Sequence, residues 1–199
     1  MNIFALCTAV LTALYGLITL LRGKTPLFYQ TVVFGSWCYL LAVVYRVLYA
    51  ILIPTPAFHA GYLGYAGTFF FLLSAYFSHT NEKHGQTGVF SPVALIPPLV
   101  ILVWGGWNMH QGYGILPQLL LLPVVLTAYF SCRQLMEKTT SATALRPYNA
   151  AVLALCLLQP IMLVAMLTRE HTAVPILITS VLSVATVVLA DRGCRKWSM

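Results

Sequence analysis

Seven hydrophobic stretches follow one another along this chain of 199 residues, with only short connections between them. Most of them approach the roughly 20 apolar residues that an α-helix needs to cross the hydrocarbon core of a bilayer. Only 8% of the residues are charged, whereas a soluble domain carries about 25%. The sequence therefore predicts an all-α integral membrane protein, a single domain over residues 1–199 that forms a seven-transmembrane-helix bundle. The predicted spans are 2–21, 27–53, 58–78, 92–107, 112–135, 147–168 and 173–191.

The fourth stretch is short and contains Pro97-Pro98 and Gly105-Gly106. Two interpretations fit it, a short span or a re-entrant segment that returns to the same side. If it crosses, the helices divide as 3+1+3, with helices 1–3 and helices 5–7 as two parallel repeats.

Basic residues are concentrated on one side of the predicted bundle. Nine of the eleven Lys and Arg residues fall after the first, third and fifth stretches or in the C-terminal tail. Of the other two, Arg169 stands alone on the opposite side and Arg46 lies within a span. Since positive charge is retained on the cytoplasmic side, we predict an N-terminus outside and a C-terminus in the cytoplasm. Arg22 and Lys24 follow the first stretch, which favours a retained first helix over a cleaved signal peptide.

Arg46 is the one cation that lies more than two residues inside a predicted span, in the sequence YLLAVVYRVLYAI. An arginine at the centre of a membrane helix costs about 2.5–3.5 kcal/mol on insertion scales, and less near an interface. At 100° per residue, Ser36, Tyr39 and Arg46 share one narrow arc, which predicts a polar stripe that faces the bundle interior. Two interpretations remain open. Arg46 binds an anionic group of a solute, lipid or substrate, or it snorkels outward or pairs structurally with Glu170.

Two further helices carry polar faces, and a glutamine adjoins a proline in a third. Such hydroxyls either line a polar cavity or only bond to neighbouring helices, and both interpretations stay open. Small residues at four-residue spacing on helix 3, Gly64 among them, predict close helix packing. The polar positions are Tyr62, Tyr65, Thr68 and Tyr76 on helix 3, Thr179, Ser183 and Thr186 on helix 7, and Gln159 beside Pro160 on helix 6. The predicted ligand-binding residues are Arg46, Tyr39, Ser36, Tyr65, Thr68 and Gln159.

Acidic, histidine and cysteine residues are few and scattered. The four carboxylates fall in predicted loops or at predicted helix ends, so paired-carboxylate chemistry lacks its parts. The five histidines lie on both sides of the membrane and the five cysteines occur singly, so no metal site is predicted. We predict no catalytic residue, no metal and no cofactor, and the balance of the sequence is against an enzyme.

The sequence favours a facilitative carrier or permease for a small neutral or anionic solute, located in the cell membrane as a multi-pass protein. The alternative is a membrane-embedded sensor, regulator or accessory subunit without transport, and the third hypothesis is a lipid-modifying enzyme. The net charge of +7 flanks hydrophobic segments, so it predicts contact with lipid headgroups rather than nucleic acid. The expected partners are the lipid bilayer and a small-molecule or lipid ligand, with a homo-oligomer or a partner membrane subunit left open.

Overall fold

All secondary structure in the described part of the chain is helical. The computed structural model describes residues 2–23, 25–52, 61–82, 91–110, 121–138, 140–168 and 173–197. These ranges contain seven α-helices, one short 3₁₀ turn at Val93–Leu95 and no strand. The prediction of an all-helical protein is confirmed. The helices are α1 (Asn2–Leu21), α2 (Leu27–Leu52), α3 (Gly61–Glu82), α4 (Ile96–His110), α5 (Leu122–Met136), α6 (Thr140–Thr168) and α7 (Ala173–Trp197).

Three of these helices are long and apolar enough to cross a membrane, over Ile3–Leu21, Leu27–Tyr49 and Ala173–Lys196. A shorter apolar segment, Val93–Trp107, includes most of α4. Large apolar side chains cover the outside of the helices. Ile3, Ile51 and Val103 are each more than 70% exposed, an arrangement that suits lipid rather than water as the solvent. These helices indicate a membrane protein.

The helices differ from the predicted stretches mainly where they continue into polar sequence. α3 extends to Glu82 and α7 to Trp197, and α6 begins at Thr140 and runs through Pro147. Hydropathy marks only the apolar part of a helix, whereas backbone hydrogen bonding continues into the polar flanks. The prediction that put all four carboxylates in loops or at helix ends is wrong for Asp191, which lies inside α7. The predicted start of the fifth span, 112–120, lies outside the described residues.

The helices pack as a closed ring. Each of the neighbours α1–α2, α2–α3, α3–α5, α5–α6 and α6–α7 is in contact, and α7 closes the ring against α1 and α2. α4 packs on the outside of this ring, against α5 and α6. The ring therefore places α1, α2 and α7 side by side. Two of the three polar groups described below include at least one of these three helices.

Small residues set the spacing between α2 and α3, the most extensive helix pair. A Cβ atom added at Gly64 would lie 2.8 Å from the Cβ atom of Ala42 and 3.0 Å from its backbone nitrogen. A Cβ atom at Gly35 would lie 3.3 Å from the carbonyl oxygen of Thr68. The absence of side chains at these glycines lets the two backbones approach closely. The predicted close packing around Gly64 is confirmed.

Buried side chains form two apolar clusters. The main core runs through α3, α5 and α6 and the adjoining parts of α2 and α7. The second cluster, here called the upper core, lies at the end of the bundle where α1, α3 and α7 begin. It comprises Ala5, Ala9, Tyr39, Ala42, Val43, Tyr65, Met162 and Ile176. Polar side chains adjoin the upper core, and these form the candidate site.

Candidate functional site

Arg46 lies on the upper part of α2, within electrostatic range of three tyrosine hydroxyls. Its side chain donates a hydrogen bond to the hydroxyl of Tyr65 on α3. Its charge also acts on the hydroxyls of Tyr39 on α2 and Tyr62 on α3. All three tyrosines are buried, and Arg46 is half-buried. We call these four residues, together with Ser180 of α7, the Arg46 cluster.

Tyr39 connects α2 to α7 within this cluster. Its hydroxyl lies 3.4 Å from the Oγ atom of Ser180, and the Oγ hydrogen of Ser180 is directed to the carbonyl oxygen of Ile176, 2.8 Å away. Because a serine hydroxyl has a single hydrogen, Tyr39 is the donor to Ser180. The rings of Tyr39 and Tyr65 meet edge to face, with centroids 5.9 Å apart, so α2, α3 and α7 converge at one point.

The other predicted site residues are placed less favourably. The hydroxyl of Ser36 donates to the carbonyl oxygen of Val33 at 2.7 Å, and that of Thr68 to Gly64 at 3.0 Å. Both bonds stay within the residue's own helix. Gln159 is half-buried on α6 and has no hydrogen bond among the described residues. The structure thus brings together Arg46, Tyr39 and Tyr65 and leaves Ser36, Thr68 and Gln159 outside the cluster. Glu170, the alternative partner of Arg46, lies outside the described residues.

The polar face of α7 is mostly satisfied by its own backbone. Ser183 donates to the carbonyl oxygen of Thr179 and Thr186 to that of Leu182, both at 2.7 Å. The hydroxyl of Thr179 is buried and has no hydrogen-bond partner within the described ranges. Ser180, which the sequence analysis did not select, is the α7 residue that contacts Tyr39. Its position three residues before Ser183 was the signal that marks it on the same helical face.

A second polar group lies at the opposite, lower end of α7 and was not predicted. The hydroxyl of Tyr15 on α1 donates to Oδ2 of Asp191 at 2.9 Å. Arg195 donates through Nε to Oδ1 at 3.0 Å, and its second nitrogen lies 2.9 Å from Oδ2. Asp191 is only 8% exposed, and its two carboxylate oxygens make three contacts with Tyr15 and Arg195. We call Tyr15, Asp191 and Arg195 the clasp. Beside it, Tyr29 of α2 makes a short hydrogen bond with Thr19 of α1.

A third polar group is uncharged and lies in the main core. The hydroxyl of Tyr76 on α3 donates to Oδ1 of Asn149 on α6 at 3.0 Å, and Nδ2 of Asn149 donates to Gln134 on α5 at 3.3 Å. The neighbouring hydroxyl of Tyr148 is buried with no hydrogen bond of good geometry among the described residues. Tyr76, predicted on the polar face of α3, therefore belongs to this group and not to the Arg46 cluster.

The Arg46 cluster places several tyrosine hydroxyls near one guanidinium group. The guanidinium group is a planar hydrogen-bond donor that suits a carboxylate or a phosphate. Within the described ranges, no three His, Cys, Asp or Glu side chains come together. Comparison of the chain with protein-family models, with curated proteins and with solved structures gives no match.

Proposed function

We propose that the protein is a facilitative carrier that binds a small solute, with an anionic group, at the Arg46 cluster and passes it through the helix bundle. The observation that supports the proposal most directly is the electrostatic proximity of Arg46 to three buried tyrosine hydroxyls, one on α2 and two on α3. Keeping an arginine within a membrane helix is costly, and a bound anion offsets that cost by sharing its hydrogen bonds.

The same proposal includes the membrane arrangement. We infer that seven helices cross the cell membrane, with the N-terminus outside and the C-terminus in the cytoplasm. Nine basic residues on one side against one on the other support this orientation. The Arg46 cluster then lies near the outer surface, because Arg46 is six residues before the end of α2, about 9 Å at 1.5 Å per residue. The 3+1+3 plan gains support from the position of α4 outside the ring.

Uptake into proteoliposomes tests the carrier. A radiolabelled panel of small carboxylates, inorganic phosphate and a neutral hexose is offered to reconstituted protein. We expect uptake of at least one anion, and its loss in Arg46→Leu. Arg46→Lys keeps the charge but loses the planar fork, so we expect its apparent KM to rise about tenfold, as after loss of one charge-assisted hydrogen bond. Uptake that is unchanged in Arg46→Leu would contradict the role of Arg46.

Two control variants keep the comparison specific. Arg146→Leu removes an exposed cation from α6, and Tyr45→Phe removes a hydroxyl from an exposed tyrosine adjacent to Arg46. Both should transport like the unmodified protein. If either control variant loses transport as Arg46→Leu does, the loss of transport reflects general damage to the protein rather than a specific role of the Arg46 cluster.

A sensor or accessory subunit that binds a ligand without transport is the second candidate. The observation that favours it is the closed packing of Tyr39 against Tyr65, which are 5% and 4% exposed. Binding of a radiolabelled anion that depends on Arg46, without uptake into proteoliposomes, would support this candidate over the carrier. Turnover of a phospholipid by purified protein would instead support the third hypothesis, a lipid-modifying enzyme.

A further inference from the structure

The clasp lies at the opposite end of the same group of helices that holds the Arg46 cluster. Ser180 and Asp191 are both on α7 and are separated by eleven residues, about 16 Å along the helix. The Tyr15–Asp191 hydrogen bond ties α1 to α7 at this lower end. A carrier that exposes one binding site to each side in turn needs a closure at both ends. The clasp lies at the lower end, where such a carrier would need its second closure.

We propose that the clasp is the lower gate of the bundle, and that breaking the Tyr15–Asp191 hydrogen bond lets α1 move away from α7. This inference rests on the proposed function for its purpose, although the opening itself can be measured without transport. Arg195 acts as a positioning residue, because its contacts with both carboxylate oxygens aim Asp191 at Tyr15.

The packing of α1 explains why one hydrogen bond can control its position. The fully buried residues of α1 all have small side chains, and its larger apolar residues Leu6 and Leu20 are only partly buried against the two cores. The fully buried residues are Ala5, Ala9, Thr12, Ala13, Gly16 and Thr19. Small residues permit close approach of helices but contribute little buried apolar area each. The charge-assisted bond to Asp191 therefore holds the lower end of α1 against α7, beside the Thr19–Tyr29 hydrogen bond that ties the same end to α2.

Cys194 provides a built-in reporter of this opening. It lies on α7 three residues after Asp191, is 5% exposed, and is close enough to Tyr29 for the two groups to interact electrostatically. While the clasp is closed, a soluble maleimide should reach the Cys194 thiol slowly. Tyr29, which lies beside Cys194, is bonded to Thr19 of α1, so we expect movement of α1 to open a path to the thiol from the lower face.

The experiment uses the full-length protein in lipid nanodiscs, with Cys7, Cys38, Cys132 and Cys156 replaced by alanine so that only Cys194 reacts. The labelling rate with a charged maleimide is compared between Tyr15→Phe and the unmodified clasp. We expect an increase of about tenfold, the change that accompanies loss of one charge-assisted hydrogen bond. Asp191→Asn should give a similar increase, and the double variant should add little to either, because all three lose the same bond. Tyr45→Phe, which removes an exposed hydroxyl elsewhere, should leave the rate unchanged.

The outcomes separate a gate from a purely structural bond. A gate gives faster labelling well below the unfolding temperature. If Tyr15→Phe and Asp191→Asn lower the unfolding temperature but label at the unmodified rate, the gate is contradicted. The same labelling measurement in an Arg46→Leu background tests whether opening of the clasp is independent of the Arg46 cluster. If the labelling increase persists while no anion is taken up by any variant, the gate stands and the carrier proposal fails. If uptake depends on Arg46 but the labelling rate never changes, the carrier proposal stands and the gate is contradicted.

Discussion

Tyrosine hydroxyls connect the helices in all three polar groups of this bundle. Tyr39 donates to Ser180, Tyr76 to Asn149 and Tyr15 to Asp191. Tyr148 differs, because its hydroxyl is buried and lacks a hydrogen bond of good geometry in the described part of the chain. Leaving a polar atom unsatisfied costs more than the net gain from a satisfied one. Loss of the hydroxyl should therefore change the free energy of unfolding in opposite directions at Tyr76 and Tyr148, the two main-core tyrosines.

We expect Tyr148→Phe to leave the free energy of unfolding unchanged or to raise it by up to about 1 kcal/mol, because it removes an unsatisfied hydroxyl. Tyr76→Phe should lower it by about 1–3 kcal/mol, because Oδ1 of Asn149 loses its donor while buried. Titration with a denaturing detergent, followed by circular dichroism, gives both values.

The pair of variants serves as its own control, since each change removes one oxygen from a buried ring. Rings at 6.1 Å centroid separation report on the same packing environment. A destabilisation of Tyr148→Phe as large as that of Tyr76→Phe would show that Tyr148 has a partner of its own, such as a buried water.

At the residue scale, the sequence predicted which side chains share a face of one helix, but it did not predict contacts between helices that are distant in sequence. The arc that joins Tyr39 to Arg46 follows from helical periodicity, and the structure keeps these residues together. The pairing of Tyr15 with Asp191 joins residues 176 positions apart, which periodicity cannot reveal. One local signal was present, because Thr8, Thr12, Tyr15 and Thr19 form a stripe at spacings of four, three and four along α1. Ser36 and Thr68 were on the right faces, but their own backbone carbonyls satisfied them first.

At the scale of the helices, the glycines of α2 and α3 show where the spacing between elements is set. Gly64 faces the backbone of Ala42, whereas Gly106 on α4 has no atom within 4 Å of the position that a Cβ atom would occupy. Both are glycines inside helices, so both lose helix propensity relative to alanine. They differ in the space that an added methyl group would meet.

We expect Gly64→Ala to lower the free energy of unfolding by about 1–3 kcal/mol, because the new Cβ atom would overlap Ala42 and push α2 and α3 apart. Gly106→Ala should be neutral or raise it by up to about 1 kcal/mol through helix propensity alone. Detergent titration measures both. Gly64→Ala should also reduce transport if the Arg46 cluster needs its tyrosines on α3, and a stable Gly64→Ala would show that α2 and α3 can separate freely.

Element boundaries show a different limit of sequence reasoning. The existence of each described helix was predictable from its apolar run, and α1 and α2 begin where the sequence indicated. The sixth span was predicted to begin at Pro147, where the apolar run starts, and proline is also common at the start of a helix. The structure instead continues the helix through it, since the loss of one backbone hydrogen bond is tolerated inside a packed bundle. The local preference of proline gave way to the tertiary packing of α6 against α5 and α7.

At the scale of the whole molecule, the ring of six helices with α4 outside it raises the question of how the chain crosses the membrane. α4 has fifteen residues, about 22 Å at 1.5 Å per residue, which is shorter than the roughly 30 Å hydrocarbon core. Its outer face carries Trp104 and Trp107 beside an apolar groove of about 510 Å³. Tryptophans favour the membrane–water interface, so a short helix that crosses while anchored by them at one end fits this sequence.

Single cysteines introduced on both sides of α4 decide between a crossing and a re-entrant segment. In a background without the five native cysteines, the variants are Asn2→Cys, Ser91→Cys, Asn108→Cys and Lys196→Cys. If α4 crosses, an impermeant maleimide added to intact cells should label positions 2 and 108, and should reach positions 91 and 196 only after permeabilisation. This pattern follows because basic residues are kept on the cytoplasmic side and the bundle has an odd number of crossings. Labelling of positions 91 and 108 from the same side would make α4 re-entrant and leave the bundle with an even number of crossings. The nine basic residues that the seven-span arrangement keeps on one side would then be divided between both sides, and that arrangement would be wrong, while the side on which position 2 is labelled would still decide where α2 ends and the Arg46 cluster lies.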